Sequence, residues 1–393
     1  ASYFDEVVGD FDDVPNPGET HNIDIEFFNP SSDAIYDLSI LFYSLNPLDV
    51  YVSEEQSFLG DIEPYGTIIT NESATVSIDE YAPLGTFSIQ AYLTGVLADG
   101  TFYDQIILIP IDIRLDQKGF PLDINTNIIS SPAVVDVDGD GNDDIVFADD
   151  IGIVRASSSN GELISGWEVD VEDGVWGAPA IGDIDNDGEK EIVIASHSKR
   201  LFIISLDGEI ELDFEADQYL VGTPALGNLD DDQELEIVFG GMSSSGKLFA
   251  INPDGTLLNN NFPIEINEKM FSGVSLGDID LDGTLDIIVT TKSGNVHVVN
   301  SSGEYIDGFP FESSRDIRSS PLVADIDSDG ELEIMFGNDD GIFYCLGSEG
   351  NIEFEFQTQD SGFIRTTPSV QMNENDAHIY FGTTGGELVS INQ

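Results

Sequence analysis

The 393-residue chain holds 76 Asp and Glu against 12 Lys and Arg, a formal net charge of −64. Nucleic acid is excluded as a partner because no basic patch is available to displace counterions from phosphates. An anionic membrane surface would repel the chain for the same reason. Hydrophobic residues make up 40% of the sequence, enough for packed cores, and the length favours two domains.

Membrane insertion is not expected, because no apolar run approaches the length of a transmembrane helix. Cys345 is the single cysteine, which excludes a disulfide within the chain and a zinc site built from several thiolates. No signal peptide opens the sequence, which begins "ASYFDEVVGD". Two alternatives follow: a cytosolic protein, or a mature fragment whose targeting segment has been removed.

Residues 1–112 show strand-like runs such as "HNIDIEFF" and "TFSIQAYLTGV", separated by turn clusters. This pattern predicts an antiparallel β-sandwich of about seven strands. The stretch "DFDDVPNPGETHNIDIEFFNPSSDAIYDLSI" also resembles the start of Ig-like accessory domains in secreted bacterial enzymes and adhesins. Asp10, Asp12, Asp13 and Glu19 could bind a cation there, although we favour a solvated acidic turn.

The following region repeats one acidic pattern. "DVDGDGNDD" at 136 returns as "DIDNDGEKE" at 183, "NLDDDQELE" at 228, "DIDLDGTLD" at 278 and "DIDSDGELE" at 325, so the copies start 47, 45, 50 and 47 residues apart. Carboxylates at alternate positions repel one another unless a cation lies between them. Calcium takes six to eight oxygens from loops of this kind. Five copies in phase favour metal binding over solvated turns.

Short β-rich runs recur at the same positions relative to each acidic loop, with about four strands per repeat. This number of strands is typical of a propeller blade. A sixth repeat ends the chain, and its loop "QMNENDA" lacks the alternating aspartates, so we expect no calcium there. Its fourth strand is missing, while "KGFPLDI" at 118–124 matches "DGFPFES" at 307–313. We therefore predict a six-bladed β-propeller over 113–393, closed by residues 118–124.

These loops resemble the FG-GAP or VCBS-type repeats of integrin α-like calcium-binding propellers and of many secreted bacterial proteins. The resemblance implies calcium ligands at loop positions 1, 3, 5 and 9 through side chains and at position 7 through the backbone carbonyl. The implied ligands are Asp136, Asp138, Asp140, Asn142 and Asp144; Asp183, Asp185, Asp187, Glu189 and Glu191; Asn228, Asp230, Asp232, Glu234 and Glu236; Asp278, Asp280, Asp282, Thr284 and Asp286; and Asp325, Asp327, Asp329, Glu331 and Glu333.

The third loop departs from the pattern, since Asn228 replaces the first aspartate and Gln233 replaces the glycine. A neutral ligand lowers the charge of the site. A side chain at a position that requires a positive φ costs about 1 kcal/mol. We expect this loop to be the weakest of five calcium sites.

No catalytic motif is found in the sequence. The six arginines lie at different phases of the repeat, and the four histidines are equally scattered, with His197 and His297 expected on blade surfaces. Neither a G-x-S-x-G elbow nor an H-E-x-x-H helix is present. We therefore expect a protein that is not an enzyme.

Two functions fit these observations. The first is a secreted, bacterial, calcium-binding structural or adhesion protein that binds a protein or glycan partner, or copies of itself in a calcium-dependent homo-oligomer or extracellular polymer. The second is an accessory region of a larger secreted enzyme, such as a protease or polysaccharide lyase.

Overall fold

The computed structural model describes residues 2–9, 14–53, 56–70, 74–115, 117, 119–230, 232–359, 361–372 and 377–392. These residues form an all-β structure. Within them, no helix is long and apolar enough to cross a membrane. The chain divides into two compact units, Ala1–Asp123 and Ile124–Gln393.

The N-terminal unit is built from nine strands. They are β1 (Ser2–Val8), β2 (Thr20–Phe28), β3 (Ile35–Ser44), β4 (Val50–Val52), β5 (Ser57–Ile62), β6 (Thr67–Ile69), β7 (Ala74–Ile78), β8 (Gly85–Leu97) and β9 (Phe102–Ile113).

These strands form two sheets that share one apolar core. The first has the order β1-β2-β7-β4, with β6 also paired to β2, and the second has the order β5-β3-β8-β9. Alternate side chains of both sheets are buried in a common cluster, including Ile23 of β2 and Ile89 of β8. The expected two-sheet sandwich is therefore present, whereas its Ig-like relationship stays a prediction.

The division between the two compact units falls at 123/124, and the expected domain bounds, 1–112 and 113–393, stay a prediction. β9 pairs with β8 over its whole length, from Phe102 to Ile113. The Arg114 amide then donates to the Pro15 carbonyl at 3.0 Å, so the chain beyond β9 is still bonded to the N-terminal unit.

The C-terminal unit contains 23 further strands in its described residues. They are β10 (Ala133–Val135), β11 (Asp144–Ala148), β12 (Ile153–Ser157), β13 (Leu163–Asp170), β14 (Ala180–Gly182), β15 (Glu191–Ala195), β16 (Arg200–Ser205), β17 (Ile210–Glu215), β18 (Ala225–Gly227), β19 (Glu236–Gly240), β20 (Lys247–Ile251), β21 (Ile264–Glu265), β22 (Ser275–Gly277), β23 (Asp286–Thr290), β24 (Asn295–Val299), β25 (Phe311–Glu312), β26 (Leu322–Ala324), β27 (Glu333–Gly337), β28 (Ile342–Leu346), β29 (Ile352–Gln357), β30 (Ser369–Met372), β31 (Ala377–Gly382) and β32 (Leu388–Asn392).

Consecutive strands pair antiparallel into five four-stranded sheets and one three-stranded sheet, β30-β31-β32, in the described residues. The first strands of the first five sheets lie side by side. The linkers between sheets also touch: a Cβ at Gly177 would lie 2.7 Å from the Gly222 backbone, and one at Gly222 would collide with the Ser272 carbonyl oxygen. The repeats therefore pack closely along their inner edge.

The cores lie between sheets, and the second strand of the second to fifth sheets is buried on both faces. Val146 of β11 and Ile192 of β15 share one cluster, and Phe239 and Phe249 stack at 5.0 Å in the next. Cys345 is fully buried between the fifth and sixth sheets, beside Phe343 and Phe381. Face-to-face packing of successive antiparallel sheets is the architecture of a propeller.

Residues 119–124, the described part of the expected closing segment, have no strand conformation, and Lys118 lies outside the described residues. Pro121 offers no backbone N–H for a ladder, and the positive φ of Asn125, 57°, ends any extended run. The similar segments in the third and fourth sheets form strands of only two residues, β21 and β25. Closure through this segment stays a prediction.

Candidate metal centres

Each acidic loop connects the first and second strands of one of the first five sheets. Four loops have a sixth-position glycine with φ between 90° and 99°, in the left-handed region that favours glycine. The amide of that glycine donates to the first aspartate of its loop, as Gly141 does to Asp136 at 2.9 Å and Gly330 to Asp325 at 3.0 Å. The loop therefore curls around its own carboxylates.

Three carboxylates converge in every loop, with one oxygen from each lying within 4.8 Å of the others. The groups are Asp136, Asp138 and Asp144; Asp183, Asp185 and Glu191; Asp230, Asp232 and Glu236; Asp278, Asp280 and Asp282; and Asp325, Asp327 and Glu333. Like charges at this separation could be held together by a metal ion.

The ninth-position carboxylate begins the second strand and is buried in all five loops, between 0% exposed for Glu236 and 5% for Glu191. One oxygen accepts the amide of the second loop residue, for example Leu229 N to Glu236 Oε2 at 2.6 Å. Burial, with neighbouring carboxylates adding to it, raises the pKa of Glu191, Glu236 and Glu333 to about 7 and that of Asp286 to about 6.

Three of the loops contain, among their described residues, a buried carboxylate oxygen that has no hydrogen-bond donor, an arrangement that fits a cation. In the described structure Asp183 Oδ1, Glu236 Oε1 and Asp325 Oδ1 are buried and accept no hydrogen bond. An orphaned buried acceptor of this kind costs about 1–3 kcal/mol or more when charged. The ligand atoms that these loops offer to a metal ion are all hard oxygens, the kind that calcium and magnesium prefer.

Other implied ligands lie at the edge of these groups. Fifth-position side chains such as Asp140 and Asp329 are outside the convergent sets and accept the seventh-position amide, at 2.7 Å from Asn142 and 2.8 Å from Glu331. In the fourth loop the fifth residue, Asp282, converges and the ninth, Asp286, does not. The full ligand sets stay a prediction.

The third loop differs from the others in a way that the sequence did not predict. Gln233 has no positive φ, so the expected strain at that residue is absent. Its side chain instead accepts the Asn186 Nδ2 hydrogen at 3.2 Å, and Asn228 Nδ2 donates to the Asp232 carbonyl at 2.5 Å. Its convergent group lacks a first-position residue. The weakness predicted for this site now rests on Asn228.

Two further predictions concern the acidic turn near the N-terminus, which could bind a cation, and the loop of the sixth repeat, where no calcium is expected. Asp10, Asp12 and Asp13 lie outside the described residues, as do residues 373–376 of the sixth loop. Glu19 is 6% exposed, accepts the Asn16 amide at 2.8 Å and lies 3.2 Å from His21 Nε2.

The structure corrects two expectations about basic residues. His297 is not on a blade surface: it is 4% exposed, with Nδ1 2.9 Å from the Tyr305 hydroxyl and Nε2 3.8 Å from Glu268. Arg318 and Arg365 are not at different phases, since both reach Asp339. The shared spacing of "IRSSP" and "IRTTP" is the sequence signal that could have revealed this pair.

Chelator-treated protein is expected to become less stable as the pH rises from about 4.5 to about 7. The folded-state pKa of Glu191, Glu236 and Glu333 is about 7 against an ordinary 4.5. The folded state therefore binds more protons than the unfolded chain in this window, and stability falls as they are lost. Urea denaturation at pH 5 and pH 7.5 measures the difference.

The triple variant Glu191→Gln, Glu236→Gln and Glu333→Gln should lose most of that difference. A matched triple variant of exposed residues, Glu162→Gln, Glu304→Gln and Glu349→Gln, should keep it. Equal behaviour of the two variants would show that general charge repulsion, and not the buried carboxylates, sets the pH dependence.

Residues 278–336 match the family model of the FG-GAP-like repeat, and residues 314–390 match that of the lambda-carrageenase beta-propeller domain. No curated protein matches the chain. The solved structure of BBS1N in complex with ARL6DN is similar with a TM-score of 0.51 at 13% identity, covering 68% of this chain and 79% of that chain.

The biofilm matrix protein Bap1 of V. cholerae has a TM-score of 0.47 at 17% identity, covering 70% of this chain and 54% of that chain. At such identities a likeness concerns the fold alone. With the stacked sheets and the repeated acidic loops, these matches identify the C-terminal unit as a β-propeller that contains an FG-GAP-like repeat at residues 278–336.

Proposed function

We propose that this chain is an extracellular, calcium-stabilised propeller that binds a partner without catalysing a reaction. One observation carries the proposal: five equivalent loops each gather three carboxylates within 4.8 Å. The buried ninth-position carboxylate of every loop, and the orphaned oxygens in three of them, support it.

Calcium suits these loops better than magnesium. Calcium accepts six to eight oxygens in flexible geometry, whereas magnesium demands near-octahedral geometry and keeps several waters. Side chains at positions 1, 3, 5 and 9, with the seventh carbonyl, would supply such a set. Calcium modules outside cells work with dissociation constants of about 10⁻⁴–10⁻³ M, and we expect affinities in that range for an extracellular protein.

A bound cation would act on the fold directly. Each loop joins the inner strand of a sheet to the next strand, which is almost wholly buried in the second to fifth sheets. Neutralising the carboxylates would remove their repulsion at this turn and fix the inner strand against its neighbour.

Calorimetric titration with Ca²⁺ tests the proposal, and the variant Asn228→Asp tests the third loop separately. Wild-type protein should bind about five ions, one of them more weakly. Restoring the first-position carboxylate should tighten that weak site roughly tenfold because it adds a charged ligand. Asn46→Asp, an exposed residue of the N-terminal unit, gives the same charge change as a control. No heat of binding in wild-type protein would contradict the proposal.

An accessory region of a larger secreted enzyme is the second candidate function. The match of residues 314–390 to the lambda-carrageenase beta-propeller domain favours it. An accessory region should stay monomeric in millimolar calcium, whereas a structural protein should form oligomers or filaments that dissolve on chelation. Light scattering and negative-stain microscopy with and without calcium separate the two.

A further inference from the structure

The second sheet of the N-terminal unit ends in a strand with a free edge. β9 pairs with β8 without interruption from Phe102 to Ile113, and in the described residues no other strand pairs with it. The amide of Arg114, the next residue, donates away from β8 to the Pro15 carbonyl. Because backbone groups alternate along a strand, the N–H and C=O groups of the even-numbered residues of β9 face the free edge. Pro110 fits this phase, since it has no N–H to donate to β8.

The other outer strands of the two sheets have features that block pairing with another chain. β4 has only three residues. β1 is irregular between Glu6 and Val8, and β5 meets β3 with two shifts of register. Short strands and bulges are common ways in which proteins protect a sheet edge. β9 has twelve residues in regular pairing, which makes it the most open edge among the described strands of this unit.

The solvent-facing side of β9 is apolar at the centre of the strand. Ile106 and Leu108 are each 58% exposed, and Phe102 is 62% exposed. Asp104 and Asp112 are the charged residues of β9, and both lie towards its ends. A long apolar edge of this kind is suited to pairing with a further strand.

A cavity of about 630 Å³ lies between the two sheets beside this edge. Tyr103 and Ile107 line it from the inner face of β9, and Ile25 and Phe27 line it from β2. Leu108, on the outer face of β9, lines it as well, so the cavity extends to the free edge. A strand added at this edge would cover the opening with its inward-pointing side chains.

We propose that β9 pairs antiparallel with β9 of a second copy of this chain, about a two-fold axis that joins two four-stranded sheets into one. This inference goes beyond the proposed function and does not depend on the calcium loops. In a two-fold pairing every contact occurs twice, so the strand must complement its own reverse. The residue that lies on the axis then fixes the whole register.

The two aspartates of β9 select one register for this pairing. With Asp104 or Leu108 on the axis, Asp104 lies directly opposite Asp104 or Asp112 of the partner, which is destabilising. With the axis one residue to either side of Ile106, the same carboxylates become diagonal neighbours, about 7–8 Å apart. With Ile106 on the axis, Asp104 faces Leu108, and no carboxylate of β9 lies opposite or diagonal to another. Repulsion therefore favours the register centred on Ile106.

The same register matches apolar side chains and backbone groups. Ile106 packs on its own copy, and Leu108 lies diagonal to both Phe102 and Ile106 of the partner. About six backbone hydrogen bonds cross the axis, between the two Ile106 residues and between Asp104 and Leu108 on each side. Pro110, which lacks an N–H, falls at the end of the paired stretch. A single strand pair is smaller than a standard interface, so we expect a weak dimer.

Cysteine cross-linking tests the register, because the single native cysteine, Cys345, is buried. Residues directly opposite in a hydrogen-bonded pair have Cα atoms about 5.5 Å apart, a separation that a disulfide spans. Under mild oxidation, Ile106→Cys should therefore form a covalent dimer about tenfold faster than Leu108→Cys, whose copy lies farther along the strand.

Sedimentation velocity tests the dimer without oxidation. The wild-type dimer should persist in chelator and should increase with salt, since salt screens the repulsion between two chains of charge −64. Ile106→Asp places two carboxylates on the axis and should raise the dimer Kd at least about tenfold. Leu48→Asp makes the same change at an 89% exposed residue in the turn between β3 and β4, and should leave the dimer unchanged.

The proposal is overturned if the wild type is monomeric at every salt concentration, or if both cysteine variants cross-link at one rate. It is also overturned if Leu48→Asp weakens the dimer as much as Ile106→Asp. Calcium-dependent melting of each variant reports the fold and the calcium sites separately, so a missing dimer with intact calcium stabilisation would condemn this inference alone. Because this dimer needs no calcium, only larger assemblies bear on the choice between the two candidate functions.

Discussion

Chelation of calcium is expected to lower the melting temperature of the protein by more than about 10 °C at low ionic strength. An ion that binds only the folded state contributes about 2.7 kcal/mol per site at a hundredfold excess over Kd. For a domain of this size each kcal/mol shifts the melting temperature by roughly 2–4 °C. Several of the five loops need to be occupied to reach the expected change. Differential scanning calorimetry measures it.

Low ionic strength matters because salt screens the repulsion between the carboxylates. Magnesium at equal concentration serves as the control and should restore much less stability than calcium, since magnesium demands near-octahedral geometry and gives up its waters reluctantly. An unchanged melting temperature after chelation would mean that the acidic loops are solvated turns.

The substitution Gly222→Ala is expected to lower the free energy of unfolding by roughly 3 kcal/mol, among the larger effects of a single substitution. The added methyl group would collide with the Ser272 carbonyl oxygen and approach the backbone of Gly273. These are backbone atoms of the next linker, which cannot move aside as a flexible side chain would. Relieving the collision must push adjacent sheets apart along their inner edge.

Gly382→Ala provides the matched control. Gly382 lies in β31, has no positive φ, and a Cβ there would meet Thr366 at 3.5 Å, an ordinary contact. We expect the free energy of unfolding of this variant to lie within about 0.5 kcal/mol of the wild-type value. Urea denaturation compares the two alanine variants, and similar midpoints would refute the idea that the linkers are packed to contact.

The regular spacing of the acidic pattern along the sequence made the repeats and their loops predictable. Aspartates at every second position, a glycine and a β-rich run recur with little change in spacing, so the position of each acidic loop follows from "DVDGDGNDD" and its copies. The buried ninth residue was also predictable as part of the following strand, because side-chain alternation sets which face it occupies.

Features that depend on packing between repeats were not predictable. The motifs "IRSSP" and "IRTTP" place Arg318 and Arg365 at equivalent positions of their repeats. They do not indicate that both arginines reach Asp339, because that contact joins different sheets. Gln233 was expected to suffer a positive φ, yet the loop takes another path there. The extent of the fourth strands also escaped prediction, since β21 and β25 keep only two residues each.

The Cys345 thiol, buried between the fifth and sixth sheets, is a built-in probe of the transient separation of these two sheets. Burial raises the pKa of Cys345 far above its ordinary value, so the thiol in the closed state is neither ionised nor accessible to a reagent. Labelling by an aromatic disulfide must wait until these two sheets separate. Its rate therefore gives the opening equilibrium of one sheet interface, without an introduced probe and without interference from a second cysteine.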